Sequence, residues 1–258
     1  MSSPSPVLLI LGAGPNIGHH VATTFLSHGY KVALASRTTK NHSNDADHKN
    51  QIHIAVDLSK PETIPAVFNT VKTQLGAPPS VVVYNGALRI PHDPKDPLLG
   101  TSGSSSALAL SDHETSMAIN NTSVLIAMQQ SLAGFRELPA TATTPSTASK
   151  TFIFTGNILN LVPLPGVLSF GMGKAATAYA IRCLVEQKVY EAEGVTFYYA
   201  DERAPSGSPV FLDISGPAAA AEYLKLAEQK EQGPWLHTFV KGQGYKDFGD
   251  KPWTPGAK

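Results

Sequence analysis

The glycines of Gly12-Ala13-Gly14-Pro15-Asn16-Ile17-Gly18 follow the apolar run Val7–Leu11 without a break. An apolar strand that breaks into glycines and resumes as a helix suits a nucleotide pyrophosphate. Glycine permits positive φ and lets phosphate oxygens approach the backbone, while the first N–H groups of the helix point at the anion. Gly12, Gly14, Asn16, Ile17 and Gly18 are therefore candidate phosphate contacts. A second anion-reading pair closes the run Lys31–Ala35, where Ser36 offers a hydroxyl and Arg37 a planar fork of donors.

These residues need elements to position them, and the chain supplies an alternating series. Apolar runs predict strands at Val7–Leu11, Lys31–Ala35, Ile52–Val56, Val81–Tyr84, Phe152–Thr155, Val195–Tyr199 and Leu236–Val240. Between them, helices are predicted at Ile17–His28, Pro61–Leu75, Ser111–Phe135, Lys174–Glu193 and Pro217–Glu231. Such alternation implies an α/β fold: one doubly wound, Rossmann-like parallel sheet of about seven strands, with helices on both faces. In Asp57-Leu58-Ser59-Lys60-Pro61-Glu62, Ser59 is expected to cap the helix that Pro61 opens. Gly29, Gly76 and Gly194 follow helices, where a left-handed residue is wanted. Polar His42–Asn50, Pro91–Ala107 and the Thr/Ala/Pro/Ser-rich Pro139–Ser149 read as loops. The rhythm continues after each, so residues 1–258 are expected to form a single dinucleotide-binding domain.

Composition narrows the functional classes. The 258 residues carry no formal net charge and only 16% charged side chains, which leaves no basic footprint for nucleic acid. Cys183 is the only cysteine, so neither an internal disulfide nor a cysteine metal cluster can form, and no metal is expected. Apolar runs are too short for a membrane span, and Met1–Pro6 lacks the basic start of a signal peptide. A cytoplasmic protein without membrane or nucleic-acid partners is expected.

In order and spacing the pieces resemble the short-chain dehydrogenase/reductase family over nearly the whole length. Gly12–Gly18 is similar to its glycine motif, with Asn16 in place of the middle glycine. Val81-Val82-Val83-Tyr84-Asn85-Gly86-Ala87 resembles its Asn-Asn-Ala-Gly segment, and Asp57-Leu58 its adenine-contacting pair. Ile119-Asn120-Asn121-Thr122 resembles the segment that carries its catalytic asparagine, which falls on Asn120. Thr155-Gly156-Asn157 stands where the family has its catalytic serine, and Phe170-Gly171-Met172-Gly173-Lys174 where it has Tyr-x-x-x-Lys.

The resemblance implies a nicotinamide cofactor held by Gly12, Gly14, Asn16, Ile17, Gly18, Ser36, Arg37, Asp57, Leu58, Asn85, Gly86 and Lys174. With arginine and no acid after the second strand, NADP(H) is expected over NAD(H). It further implies catalytic positions at Lys174, Asn157, Asn120 and Phe170, a small-molecule substrate, and a homodimer or homotetramer paired through Ser111–Phe135 and Lys174–Glu193. Phe170, however, has no ionisable group where the family uses a tyrosine hydroxyl as its acid. Lys174 retains a use in binding ribose hydroxyls and favouring negative charge nearby. Asn157 keeps an amide N–H for a substrate oxygen.

Three routes stay open at this point. Arg89, His92, Tyr198 or Tyr199 could supply the proton to a carbonyl substrate. A conjugated enone or an imine could take hydride without an acid, with Phe170 shaping an apolar pocket. Or the chain could bind the cofactor without redox turnover, as a cyclase, an isomerase or a regulatory binder. Asp201, Glu202 and Arg203 either close over the nicotinamide end or form a surface ion pair, and their carboxylates favour a neutral or cationic substrate.

Overall fold

Alternate residues of each central strand go to opposite faces and feed two separate cores. The computed structural model describes residues 5–38, 50–99, 108–138, 150–249 and 253–254. In β1 (Val7–Leu11), Val7, Leu9 and Leu11 enter one core while Leu8 and Ile10 enter the other. The same division holds in β4 (Val81–Tyr84), where Val82 and Tyr84 face opposite to Val81 and Val83. A sheet apolar on both faces must be covered on both, which requires helices on either side.

The remaining strands are β2 (Lys31–Ser36), β3 (Gln51–Ala55), β5 (Thr151–Thr155), β6 (Thr196–Arg203), β7 (Leu236–Val240) and β8 (Gly244–Tyr245). Their order is β3-β2-β1-β4-β5-β6-β7-β8, and every pairing is parallel except that of β8 with β7. Among the described residues the sheet has eight strands, in line with the expected number of about seven; the additional β8 is too short to leave a periodic signal. The strand order reverses between β1 and β4, and the crevice at such a switch point is where open α/β sheets bind ligands.

Helices α1 (Ile17–Ser27) and α6 (Gly216–Glu228) pack together over one face, while α2 (Ile64–Leu75), α4 (Ser123–Glu137) and α5 (Leu168–Glu186) cover the other. The long helix expected at Ser111–Phe135 is divided into α3 (Leu110–Met117), a π-turn at Ala118–Thr122, and α4. The physical reason is tertiary. The Tyr84 hydroxyl donates to Ile119 O at 2.6 Å and Thr177 Oγ1 donates to Asn120 O at 2.8 Å, so side chains from β4 and α5 take two carbonyls of the turn.

Other boundaries also move. α5 begins at Leu168, so Lys174 lies inside the helix and not at its start. β6 runs to Arg203, four residues past the expected end, because its extension pairs with β7. Ser59 does not cap a helix: its backbone N–H and hydroxyl both donate to Asp57 Oδ1, and a 3₁₀ turn at Pro61–Thr63 leads into α2. Gly29, Gly76 and Gly194 take positive φ as expected. Most of His42–Asn50, residues 100–107 of Pro91–Ala107 and all of Pro139–Ser149 lie outside the described residues.

Candidate functional site

The glycine turn is built by backbone contact. Gly12 has φ +87°, and a Cβ there would lie 2.4 Å from Gly86 N, so neither a side chain nor an ordinary φ fits. Gly12 N–H and Ala13 N–H both donate to Ala35 O, at 2.9 and 3.1 Å, which sets the turn over the end of β2. Asn85 and Gly86 N–H donate to Leu11 O, and Asn85 Nδ2 donates to Gly12 O at 2.9 Å. Asn85 and Gly86 thus act first as scaffolding for the turn.

One cavity of about 1030 Å³ runs along this edge. Gly12, Gly14 and Gly18 line it together with Ser36, Arg37, Asp57, Leu58, Asn85, Gly86 and Ile119. Residues separated widely in sequence therefore share one wall. The space over Gly14 is open, since a Cβ there would meet nothing within 4 Å. The N-terminus of α1 has no side-chain cap and no acidic residue in its first turn, which leaves its positive end to an anion. At the far rim Arg37 is exposed, while the Ser36 hydroxyl donates to Thr38 O at 2.8 Å. Hydrogen bonds from Ser59 hold the Asp57 carboxyl below its ordinary value, helped by the positive charges of Lys60 and Arg37. These residues fit a dinucleotide: small residues at the glycine turn and an exposed cation at the far rim.

Asn16 and Ile17 do not line this cavity. Ile17 is buried among the apolar residues under α1, and the Asn16 side chain is held by the chain before α6.

A second cluster stands at the ends of β5 and β6. Lys174 Nζ donates to Thr155 O at 2.7 Å and lies 4.2 Å from the centre of the Phe154 ring and 5.5 Å from that of Phe170. Lys174 is 2% exposed, and burial pushes its ammonium down to about 7, against the opposing pull of the Asp201 carboxylate. Asn157, two residues beyond Thr155, turns its Oδ1 to accept from Leu159 N at 3.1 Å, capping the 3₁₀ turn Ile158–Asn160. Asn120 is wholly buried. Its carboxamide accepts from Leu88 N and donates to Leu88 O and Ser116 O, so it fastens the loop after β4. The fold thus brings Lys174, Phe170 and Asn157 to one end of the sheet and uses Asn120 as a brace behind them.

Three of the four suggested sources of a proton are hydrogen-bonded within the fold. His92 is buried, its Nε2 3.2 Å from Ser169 Oγ, and His113 Nδ1 approaches the same hydroxyl at 3.2 Å. Tyr198 reaches Gln229 Oε1 on the side of α6. The Tyr199 hydroxyl donates to Asn157 O at 2.8 Å and accepts from Asn157 N at 3.1 Å, so it supports the strand end. Burial raises the pKa of both tyrosines. Arg89 remains exposed.

Asp201, Glu202 and Arg203 are neither a lid nor a surface pair, because all three are buried in β6. Asp201 and Arg203 share a face and form an ion pair at 2.6 Å, with Arg203 Nη1 also donating to Gly207 O. Glu202 faces the other way and accepts from Ser215 N at 2.8 Å. Opposite charges two residues apart after Phe197-Tyr198-Tyr199 were the available signal for a self-compensated strand end.

Among the described residues no group of three His, Cys, Asp or Glu could hold a metal ion, and no helix is long and apolar enough to cross a membrane. Comparison with known proteins agrees with the geometry. The family model described as short chain dehydrogenase matches residues 6–196. The short chain dehydrogenase/reductase dmxR12 of Cryptosporiopsis sp. (strain 8999) is 42% identical over 248 residues, covering 95% of each chain. Among solved structures, ElxO with NADP bound superposes with a TM-score of 0.68 at 16% identity, over 92% of this chain and 96% of that one. An oxidoreductase of the same family from Brucella ovis, in complex with a partially ordered NAD, gives 0.67 at 17% identity over 92% and 99%. At such identities the solved structures speak for the fold, and the sequence relative and the family model speak for descent. With a glycine turn at the switch point of a parallel sheet, and with matches of that extent, the chain belongs to the short-chain dehydrogenase/reductase family.

Proposed function

We propose that this chain is an NADP(H)-dependent oxidoreductase acting on a small carbonyl, enone or imine, with an active site that lacks the family's tyrosine hydroxyl. The observation that carries the reading is the cavity that joins the glycine turn to Ser36 and Arg37, with no carboxylate at the end of β2. The backbone of Gly12–Gly18 and the open N-terminus of α1 would hold the pyrophosphate, and Arg37 would pair with the 2′-phosphate. When bound, the nicotinamide supplies or accepts a hydride.

The chain's own residues then do the following. Phe170 contributes a ring and no proton, so it shapes the wall and excludes water beside Lys174. Lys174 holds an amine proton in place at Thr155 O and can turn a donor toward ribose hydroxyls. Asn157 uses Oδ1 for its cap, which leaves its amide N–H₂ to orient a substrate oxygen. Neighbours of this fold hold NADP in one case and NAD in another, so support for NADP(H) rests on Arg37.

Replacing Arg37 by Ala is expected to weaken NADPH binding by about 1.5–3 kcal/mol, the value of a hydrogen bond to a charged group, while barely changing NADH binding. Fluorescence titration of both nucleotides checks this, and equal loss for the two refutes the phosphate-reading role. Oxidation of NADPH across a panel of ketones, quinones, enones and imines tests the reaction class. Tight NADPH binding without turnover on any of them would replace the oxidoreductase reading with that of a non-redox binder.

A further inference from the structure

Three histidines stand on or just after α1, and their rings are held differently. His20 Nδ1 bonds Asn16 O at 2.9 Å and His28 Nδ1 bonds Thr24 O at 2.8 Å, so both are tied to carbonyls of the chain. His19 is exposed, meets the His20 ring edge-on at 5.3 Å, and makes no side-chain hydrogen bond among the described residues. It is the third residue of α1, and it lines the cavity.

The rest of that end of the cavity comes from β2, β3 and the chain that follows β2. Leu34 and His53 are register partners in β2 and β3, so their side chains leave the sheet together, on the face that α1 covers. Both line the cavity, as do Ser36, Arg37 and Thr38. His19 therefore bounds from the helix the rim that Arg37 bounds from the strand end. His53 Nε2 stands 2.9 Å from Gln51 Nε2 of its own strand. The remaining charged group of the cavity wall is Asp57, whose Oδ1 accepts from the Ser59 backbone and hydroxyl.

Residue type decides what the His19 position can do. A lysine or arginine there would hold a permanent charge against the positive end of the helix. Histidine is the side chain whose charge ordinarily changes within the physiological range, so it can gain its charge together with an anion. No acid stands in the first turn of α1 to hold such a proton in the absence of a ligand.

We propose that His19 is a specificity-determining residue: with Arg37 it holds the 2′-phosphate of NADP(H), and it takes up a proton from solvent as that phosphate binds. This rests on the nucleotide-binding reading above. Preference for the phosphorylated cofactor is then divided between α1 and the end of β2, and it depends on pH. The backbone of the glycine turn serves the pyrophosphate that both cofactors share, so NADH gains nothing from the imidazole.

Calorimetry of the full chain in buffers of different ionisation enthalpy counts the protons exchanged on binding. It is run at about pH 7.5, because phosphate monoesters lose their second proton at about pH 6 and the ligand is then already a dianion. In the wild type NADPH is expected to bind with proton uptake and NADH without it. NADPH affinity should fall about 5-fold or more between about pH 6.5 and about pH 8.5. His19→Ala is expected to abolish the uptake and to weaken NADPH about tenfold or more at the lower pH, with NADH changed less than about twofold. His19→Arg should keep tight NADPH binding without proton uptake, a rescue that a merely structural role would not give. Equal weakening of NADPH and NADH by His19→Ala puts the ring at the pyrophosphate and overturns the proposal. Uptake that survives in His19→Ala overturns it as well, and its loss in His53→Gln would then assign the proton to the other imidazole. NADPH bound to the wild type without uptake overturns the proposal while sparing the nucleotide reading. NADPH that does not bind at all, by fluorescence titration, overturns both.

Discussion

The double replacement Phe170→Tyr with Asn157→Ser is expected to raise NADPH-dependent ketone reduction about a hundredfold or more over the wild type, the usual contribution of a positioned general acid. Reduction of an isolated ketone leaves an alkoxide that must be protonated, and Phe170 has no proton to give. Because α5 begins at Leu168, Phe170 and Lys174 are both helical and lie four residues apart on one face, with the ring centre 5.5 Å from Nζ. A hydroxyl added to that ring would stand beside an amine able to favour its ionised form. Serine at 157 keeps the capping bond to Leu159 N, since serine is a good cap, and it frees room beside the strand end. The single change Phe170→Tyr should give less, because the oxygen-orienting partner is then still a carboxamide. Initial rates followed through the nicotinamide absorbance decide the matter. If the wild type already reduces simple ketones at ordinary rates and the double variant does no better, another group supplies the proton and the missing-acid reading is wrong.

The parts of this site that sequence reveals are the parts determined locally. Gly12–Gly18 after Val7–Leu11 is legible because a strand, a turn and a helix start are neighbours in the chain. Arg37 is legible for the same reason, as the end of a strand beside that turn. What is hidden depends on distant partners. Asn16 reads as a phosphate contact until Ile214 and Gly216, some 200 residues away, claim its carboxamide. His92 reads as a loop residue until Ser169 is brought against it. Asp201-Glu202-Arg203 reads as surface because charges are seldom buried; only the pairing with β7 and the ion pair within the strand make burial tolerable. The Phe170-Gly171-Met172-Gly173 stretch has weak helix propensity, yet the packing of α5 against the sheet extends the helix through it. Propensity is a small term, and tertiary burial overrides it.

Lys174→Met is expected to stabilise the nucleotide-free protein near neutral pH and to flatten its stability between about pH 7 and 10. Burial brings the Lys174 ammonium from its ordinary 10.5 down to about 7 in the folded chain. Between those values the unfolded chain holds a proton at this position that the folded chain has released, so stability rises with pH across the window. The full penalty of charging the buried amine applies below pH 7 and is on the order of 4 kcal/mol. Methionine fills similar space without a charge and escapes that penalty. Against this gain, Thr155 O loses its donor, which costs about 1–3 kcal/mol for a buried acceptor. Asp201 loses one favourable neighbour but keeps Arg203 at 2.6 Å, so no buried carboxylate is left alone. The net expectation at pH 7 is a gain on the order of 1–3 kcal/mol from these two opposing terms. Above about pH 10 the buried tyrosines, whose pKa values burial raises, impose the reverse slope and confine the comparison to lower pH. Urea unfolding of wild type and variant at several pH values without nucleotide measures both the offset and the slope. A variant that is less stable at pH 7 and keeps the wild-type slope would show that Lys174 is charged and well accommodated in the fold. If the expected gain appears, and NADPH binding by the same variant weakens, the buried amine is retained for the nucleotide at the expense of the fold.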